Sequence, residues 1–193
     1  MRICVFGAAS PTIDFDYIQK VERLGAEMAA RGHSLVFGGG GNGLMGAAAR
    51  GVHSGDGHIV GVIPKFFDDE NVEKICDFCS ELIFTETMRQ RKQIMEDDSD
   101  AFIVVPGGIG TFEEFFEILT LKQLCRHQKP IVLYNINGYY NELSTVMEQA
   151  MNKNFINRNC TELYLVTEDL TELFAYVETP VEDVRTVKEL KDG

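Results

Sequence analysis

The segment 106–114, PGGIGTFEE, combines an anion-binding turn with a carboxylate. It follows an apolar run, 101–105, that is typical of a buried strand, and it leads into a helix-like segment. The small residues of such a turn let backbone N–H groups approach an anion, and a helix N-terminus adds favourable partial charge. Glu114 places a carboxylate on the first turn of the same helix. The pattern therefore indicates a phosphorylated substrate and chemistry close to its phosphate group.

A second glycine-rich turn, GGGGNGLMG at 38–46, follows another strand-like segment and also opens a helix. Glycine runs alone are a weak signal, because tight turns and close packing require them too. Neither turn continues into the Gly-Lys-Ser/Thr of a P-loop, and the first strand ends in GAAS at 7–10 rather than in the dinucleotide fingerprint. A mononucleotide therefore fits the two turns better than a dinucleotide does.

A basic segment, ETMRQRK at 86–92, follows the fourth strand-like run. Three cations near the start of a helix oppose the preference of the helix dipole. A bound anion would explain them, and a solvated basic face is the alternative. On the 3.6-residue helical period Arg91 shares a face with Met88 and Met95, whereas Arg89 points elsewhere. We therefore expect Arg91 to face the site and Arg89 to face solvent.

Three glutamates, Glu113, Glu114 and Glu117, lie on the helix that follows the phosphate turn. Favourable charge at a helix N-terminus explains part of this cluster. Glu113 and Glu117 are four residues apart and can share an outer face. Glu114 shares a stripe with Ile118 and Leu121, so its carboxylate is expected to point toward the protein.

Strand-like and helix-like segments alternate along the whole chain, which predicts an α/β fold. The predicted strands are 3–7, 34–37, 59–63, 82–85, 101–105, 131–134 and 163–166. The predicted helices are 17–31, 43–52, 87–96, 111–126, 139–155 and 169–177. We expect one Rossmann-like domain, 1–180, in which a doubly wound parallel sheet of about seven strands has helices on both faces, followed by a frayed tail, 181–193. Ligands of such folds bind at the carboxyl ends of the strands, where both glycine turns fall.

Composition excludes several classes of function. The 193 residues carry a net charge of −12, which argues against a nucleic-acid surface. No apolar run reaches the roughly 18 residues of a membrane span, and the first residues lack the build of a signal peptide, so we expect a cytoplasmic protein with no membrane partner. The CxxC at 76–79 has no further ligands at zinc-site spacing, so we expect reduced, structural thiols and no metal.

Three motifs in this order resemble those of the Lonely Guy (LOG) family of cytokinin-activating phosphoribohydrolases, which have often been misnamed lysine decarboxylases. PGGIGTFEE fits PGGxGTxxE, GGGGNGLMG fits GGGxxGLMG, and ETMRQRK fits the MxxRK element. The resemblance covers roughly residues 1–180. It implies hydrolysis of the N-glycosidic bond of an adenine-type nucleoside 5′-monophosphate, without a cofactor, by a homodimer.

Carried over to this chain, the family's catalytic residues fall on Arg91 and Glu114. By analogy with glycoside hydrolysis, Glu114 would stabilise positive charge on the sugar and orient or deprotonate a water. Arg91 would hold the phosphate or ribose, or polarise the leaving base. The residues that the resemblance assigns to substrate binding are Gly39, Gly40, Gly43, Met88, Arg91, Lys92, Gly107, Gly108, Ile109, Gly110, Thr111, Glu113, Glu114 and Thr120.

Two segments depart from the family pattern, GAAS at 7–10 and the stretch 66–80, and both bear on contacts with the base or ribose. The preferred base, plain adenine or an isopentenyl-type derivative, stays open. A non-catalytic nucleotide-binding regulator of the same fold is one alternative function. A pyridoxal-phosphate lysine decarboxylase is another; it would need a lysine for its Schiff base, and Lys92 has no visible partner for the pyridine nitrogen.

Overall fold

Seven parallel strands form one sheet in this computed structural model, which describes residues 1–69, 74–179 and 185–191. The strands are β1 (Arg2–Phe6), β2 (Ser34–Phe37), β3 (Ile59–Pro64), β4 (Glu81–Thr85), β5 (Ala101–Val104), β6 (Ile131–Tyr134) and β7 (Leu165–Thr167). Their order across the sheet is β4-β3-β2-β1-β5-β6-β7. The predicted number and order of strands along the chain are confirmed, and most boundaries agree within one residue.

Within the described ranges, eight α-helices connect or follow these strands. They are α1 (Phe15–Ala30), α2 (Gly43–Ser54), α3 (Lys65–Asp69), α4 (Met88–Asp97), α5 (Ile109–Gln123), α6 (Asn141–Asn152), α7 (Leu170–Glu178) and α8 (Val187–Lys191). Helix α5 ends three residues earlier than predicted, because Cys125 adopts a left-handed φ of 54°. Helix α6 starts two residues later and ends three residues earlier than the predicted 139–155; a 3-10 turn, Ile136–Gly138, precedes it, and Asn154 adopts a left-handed φ of 61° beyond its end.

The last strand is also shorter than the sequence predicts. A 3-10 helix, Arg158–Leu163, occupies the start of the predicted strand, and Asn157 caps it by accepting a hydrogen bond from the backbone N–H of Asn159. Leu163 is buried in this helix rather than in β7. Apolar character at Leu163 therefore reflects packing of the helix on the core and not pairing in the sheet.

Helices cover both faces of the sheet, as predicted. One hydrophobic cluster joins β1, β2 and β5 to α1, α2 and α7, and a second joins the opposite face to α4, α5, α6 and α8. Helix α1 after β1 and helix α5 after β5 therefore leave their neighbouring strands toward opposite faces. This change of direction opens a crevice at the carboxyl ends of β1 and β5, the usual ligand site of such a sheet.

Part of the predicted tail packs against the domain. Leu190 of α8 is buried in the cluster that contains α5, and its carbonyl accepts a hydrogen bond from Gln123. The expected fraying therefore does not apply to residues 185–191, while 180–184 and 192–193 lie outside the described residues. Within the described ranges, no helix has both the length and the apolar character of a membrane span.

Close contact between α1 and α2 depends on glycine. A Cβ added at Gly51 would lie 2.0 Å from the carbonyl oxygen of Glu22 and 2.7 Å from the backbone nitrogen of Ala26. Both neighbours are backbone atoms, so neither can move aside without shifting α1.

Replacing Gly51 by Ala should therefore destabilise the fold, although alanine has the higher helix propensity by about 1 kcal/mol. We expect the free energy of unfolding in urea to fall by roughly 1–3 kcal/mol, as in overpacked cores. Gly110→Ala, at a helical position where a Cβ meets no atom within 4 Å, is the matched control and should raise it by up to about 1 kcal/mol. Equal effects of the two substitutions would contradict this account of the helix contact.

Candidate active site

A cavity of about 380 Å³ lies in the crevice at the carboxyl ends of β1 and β5. Its walls come from the turn after β1, from the start of α5, from one side chain each of α2 and α3, and from two side chains of α4. The side chains and turn residues that line it are Gly7, Ala8, Ala9, Ser10, Met45, Phe67, Met88, Arg91, Gly108, Gly110, Thr111, Glu113 and Glu114. The structure therefore brings both predicted catalytic residues to one cavity.

The turn before α5 presents a helix N-terminus to this cavity. Gly108 is the N-cap of α5, so the first backbone N–H groups of the helix have no partner within the helix. Gly107 must be glycine, because an added Cβ would lie 2.1 Å from the Thr111 hydroxyl oxygen. Tyr139 holds the turn in place by donating a 2.6 Å hydrogen bond to the Gly107 carbonyl. The arrangement matches the anion-binding turn that the sequence predicts.

Arg91 is a buried cation held by backbone carbonyls. Its side chain donates to the Val62 carbonyl at 3.1 Å and to the Gly38 carbonyl at 3.2 Å, and the residue is 5% exposed. Across the described residues, no carboxylate forms an ion pair with it within 4.0 Å. A buried charge without a counterion is costly, so an anionic ligand beside Arg91 would relieve that cost. The inward direction predicted for Arg91 is confirmed, as is the exposure of Arg89.

Gly38 makes the position of Arg91 possible. A Cβ added at Gly38 would lie 1.7 Å from a terminal guanidinium nitrogen of Arg91. Sequence reasoning noticed the glycine run but did not link Gly38 to Arg91, because the two residues are 53 positions apart. The signal was the run of four glycines itself, which exceeds what one turn needs.

Glu114 lines the cavity with a carboxyl group that titrates near neutrality. Burial raises the pKa of Glu114 to about 7; the positive charge of Arg91 opposes the rise, and the negative charge of Glu113 adds to it. A carboxyl group with such a pKa can act as a general base near neutral pH. The inward direction predicted for Glu114 is thus confirmed.

Lys92 lies outside the cavity wall and forms salt bridges with two carboxylates. Its ammonium group is 2.5 Å from Glu113 Oε1 and 2.6 Å from Glu117 Oε2. Burial lowers the pKa of Lys92, but the hydrogen bonds to Glu113 and Glu117 outweigh that effect and leave the pKa raised. The Lys92 charge therefore neutralises its own neighbours in the free protein.

The remaining predicted binding residues do not line this cavity. Gly43, with a φ of 58°, brings the start of α2 against the turn after β1, where a Cβ would lie 2.5 Å from the Ala8 carbonyl oxygen. Ile109 is 88% exposed, and Thr120 is exposed about 14 Å farther along α5 than Thr111. The predicted residues absent from the described cavity wall are Gly39, Gly40, Gly43, Lys92, Gly107, Ile109 and Thr120.

The segment that contains the CxxC supports the second glycine turn. The backbone carbonyl of Lys74 accepts a 2.6 Å hydrogen bond from the Gly41 N–H, and the backbone N–H of Cys76 donates a 2.8 Å hydrogen bond to the Gly39 carbonyl. Cys76 and Cys79 are free thiols that hydrogen-bond each other, which lowers the pKa of Cys76 to about 7. In the part of the chain that the structure describes, no three histidine, cysteine, aspartate or glutamate residues are placed to hold a metal ion.

A second cavity of about 340 Å³ adjoins the first and shares Ala8 and Gly108 with it. Ile13, Tyr17 and Tyr139 supply apolar surface to this adjoining cavity. Arg91 and Glu114 line the first cavity and do not line the adjoining one. The predicted catalytic cation and carboxyl group therefore both face the first cavity.

Residues 45–177 match the family model described as "Possible lysine decarboxylase". Two similar plant proteins carry a different description. The cytokinin riboside 5′-monophosphate phosphoribohydrolase LOG4 of Arabidopsis thaliana is 39% identical, over 92% of this chain and 81% of that protein. The probable cytokinin riboside 5′-monophosphate phosphoribohydrolase LOGL5 of Oryza sativa subsp. japonica is 38% identical, over 92% of this chain and 71% of that protein.

Solved structures of more distant proteins share the fold. The molybdenum cofactor carrier protein of Chlamydomonas reinhardtii superposes with a TM-score of 0.70 at 24% identity, covering 92% of this chain and 95% of that one. The molybdenum cofactor binding protein of Rippkaea orientalis superposes with a TM-score of 0.67 at 21% identity, covering 92% and 97%. At these identities the likeness concerns the fold alone.

Burial of Glu114 should make the stability of the protein fall as pH rises. With its pKa raised from 4.5 to about 7, the folded protein keeps a proton that the unfolded chain has already lost between these values. Glu114→Gln removes this titration, so we expect the variant to exceed the wild type in free energy of unfolding at pH 8, by up to about 3 kcal/mol. The difference should shrink toward pH 5.

Urea unfolding at pH 5, 6, 7 and 8 measures this difference. Glu142→Gln, at an exposed site on α6, is the control and should follow the wild type at every pH. A Glu114→Gln variant that gains nothing between pH 5 and pH 8 would show that the carboxyl group is not held in a desolvated site.

Proposed function

Because this chain belongs to the Lonely Guy family, we propose that it is a phosphoribohydrolase acting on adenine-type (cytokinin) nucleoside 5′-monophosphates. The reaction hydrolyses the N-glycosidic bond and releases the free base and ribose 5-phosphate. One observation carries the proposal: buried Arg91, which lacks a carboxylate partner among the described residues, and half-buried Glu114 line one cavity with the N-terminus of α5. That set provides an anion site and a base in a single cavity.

The start of α5 anchors the 5′-phosphate in this mechanism. Gly110 and Thr111 line the cavity at the start of this helix, where the helix dipole favours an anion. Anchoring the phosphate supplies binding energy that fixes the sugar beside Glu114, which lies one helical turn farther along.

Glu114 and Arg91 act on the sugar and the base. As the C–N bond breaks, its electron pair leaves with the base and positive charge develops on the ribose, which the Glu114 carboxylate stabilises. Glu114 then accepts a proton from the water that attacks the anomeric carbon, and the departing base takes up a proton from solvent. Arg91 offers its charge to the phosphate, the ribose or the leaving base.

Two other functions are weaker explanations of the same site. A lysine decarboxylase using pyridoxal phosphate needs a neutral lysine amine for its Schiff base, whereas Glu113 and Glu117 favour the protonated form of Lys92. A nucleotide-binding regulator would use the same anion site, but it has no need of a carboxyl group with a pKa of about 7 beside it. Release of base from a nucleotide separates the regulator from the enzyme.

We further propose that the protein is a homodimer, as the family resemblance implies, and that it is located in the cytoplasm. Exposed apolar side chains on the edge strand β4, Leu82 and Phe84, support a contact surface at this edge of the sheet.

Glu114→Gln should abolish most base release while leaving nucleotide binding intact. We expect the wild type to release base from AMP or from isopentenyladenosine monophosphate, and kcat of the variant to fall by roughly 10²–10⁴-fold, the range for loss of a general base. Chromatography of the free base measures turnover, and calorimetry measures binding of AMP.

Glu117→Gln, on the same helix but outside the described cavity wall, serves as the control and should change kcat by less than about threefold. Normal turnover by Glu114→Gln would remove Glu114 from the mechanism. A wild type that binds AMP but releases no base would favour the regulator.

Lys92→Gln should shift the pH profile of the reaction. The positive charge of Lys92 lowers the pKa of Glu114, so its removal should raise that pKa above about 7. The rising limb of kcat/KM, which follows deprotonation of Glu114, should move to higher pH by up to about one unit. Lys20→Gln removes a lysine that pairs with Asp16 on α1 and should leave the profile in place. A profile that moves to lower pH in Lys92→Gln would contradict the placement of these charges.

A further inference from the structure

We propose that Phe67 is a specificity-determining residue that stacks on the base of the bound nucleotide. Phe67 belongs to α3, in the stretch 66–80 that departs from the family pattern, and the mechanism above does not use it. The inference rests on the proposed function, because it takes the ligand of the cavity to be a nucleoside 5′-monophosphate.

The order of the strands places Phe67 and the phosphate turn at opposite ends of the cavity. The phosphate turn follows β5, whereas Phe67 follows β3, and β1 and β2 lie between these strands. Three strand spacings separate β5 from β3, a distance of roughly 14 Å. A nucleotide whose phosphate lies at the start of α5 therefore extends its base toward Phe67.

The chemistry of the Phe67 end suits a flat, apolar base. Met45 and Met88 line the cavity with Phe67, and this end therefore offers an aromatic ring and two polarisable thioethers. The Phe67 ring centroid lies 5.5 Å from Cζ of Arg91, so a base resting on this ring also lies close to the buried cation. The bond that joins base to sugar would then lie between Phe67 and the phosphate turn, where Glu114 and Arg91 line the wall.

Phe66 provides a matched comparison. Its ring packs edge-on against Phe67 with centroids 5.0 Å apart, but Phe66 is absent from the described cavity wall. Substitution at Phe66 therefore perturbs the same short helix without removing the surface offered to the base.

Binding of two ligands to variants in a Glu114→Gln background, which prevents turnover, tests the proposal. Phe67→Ala should weaken binding of AMP by roughly 5- to 150-fold, the range for loss of one aromatic–base stack. Binding of ribose 5-phosphate, which has the phosphate and sugar but no base, should stay within about twofold. Phe67→Tyr should restore AMP affinity, and Phe66→Ala should leave both ligands within about twofold.

Retained binding of ribose 5-phosphate also shows that the Phe67→Ala variant is folded. Equal losses for AMP and ribose 5-phosphate would overturn the proposal, because Phe67 would then act only by positioning Arg91. Unchanged AMP affinity in Phe67→Ala would also overturn it and would favour the adjoining cavity beside Tyr17 as the base site. If Phe67→Ala selectively weakens AMP binding but the wild-type protein releases no base from AMP, the Phe67 site is supported and the proposed reaction is contradicted.

Discussion

The buried guanidinium of Arg91 is the constraint on which the site depends. Two of its hydrogen bonds go to backbone carbonyls, that of Gly38 directly after β2 and that of Val62 within β3, so the sheet itself orients the charge. Those carbonyls satisfy donors but do not neutralise the cation. Glycine at 38 gives the side chain room, and the segment 74–79 fixes the glycine turn through backbone hydrogen bonds. Much of this edge of the molecule thus serves to hold one charge beside a cavity.

Three glutamates on one helix have different roles because their surroundings differ. Glu113 and Glu117 share Lys92, which balances their charge. Glu114 faces the cavity, where burial raises its pKa to about 7. The cation and the carboxyl group that remain for a ligand are therefore Arg91 and Glu114, next to a helix N-terminus that favours anions. A phosphate ester with a scissile bond nearby would use all three features.

The sequence pattern correctly predicts the direction of a side chain where that direction depends on one helix alone. Helical phase placed Arg91 and Glu114 inward and Arg89 outward, since the direction of a side chain follows from its position on a single helix. The same reasoning could not place Lys92, whose partners lie 21 and 25 residues away on α5. Nor could it separate Thr111, which lines the cavity, from Thr120, which lies about 14 Å farther along the same helix.

The sequence by itself determined the seven strands, the two glycine turns and the inward faces of α4 and α5, because hydrophobic periodicity and turn residues act over a few neighbouring positions. Only the tertiary structure decided which charges neutralise each other, why Gly38 must lack a side chain, and that Phe67 joins the cavity wall. These outcomes depend on the order of strands in the sheet, which brings residues that are far apart along the chain within a few ångströms of one another. Strand order arises from packing of the whole domain, so no short segment of the sequence contains it.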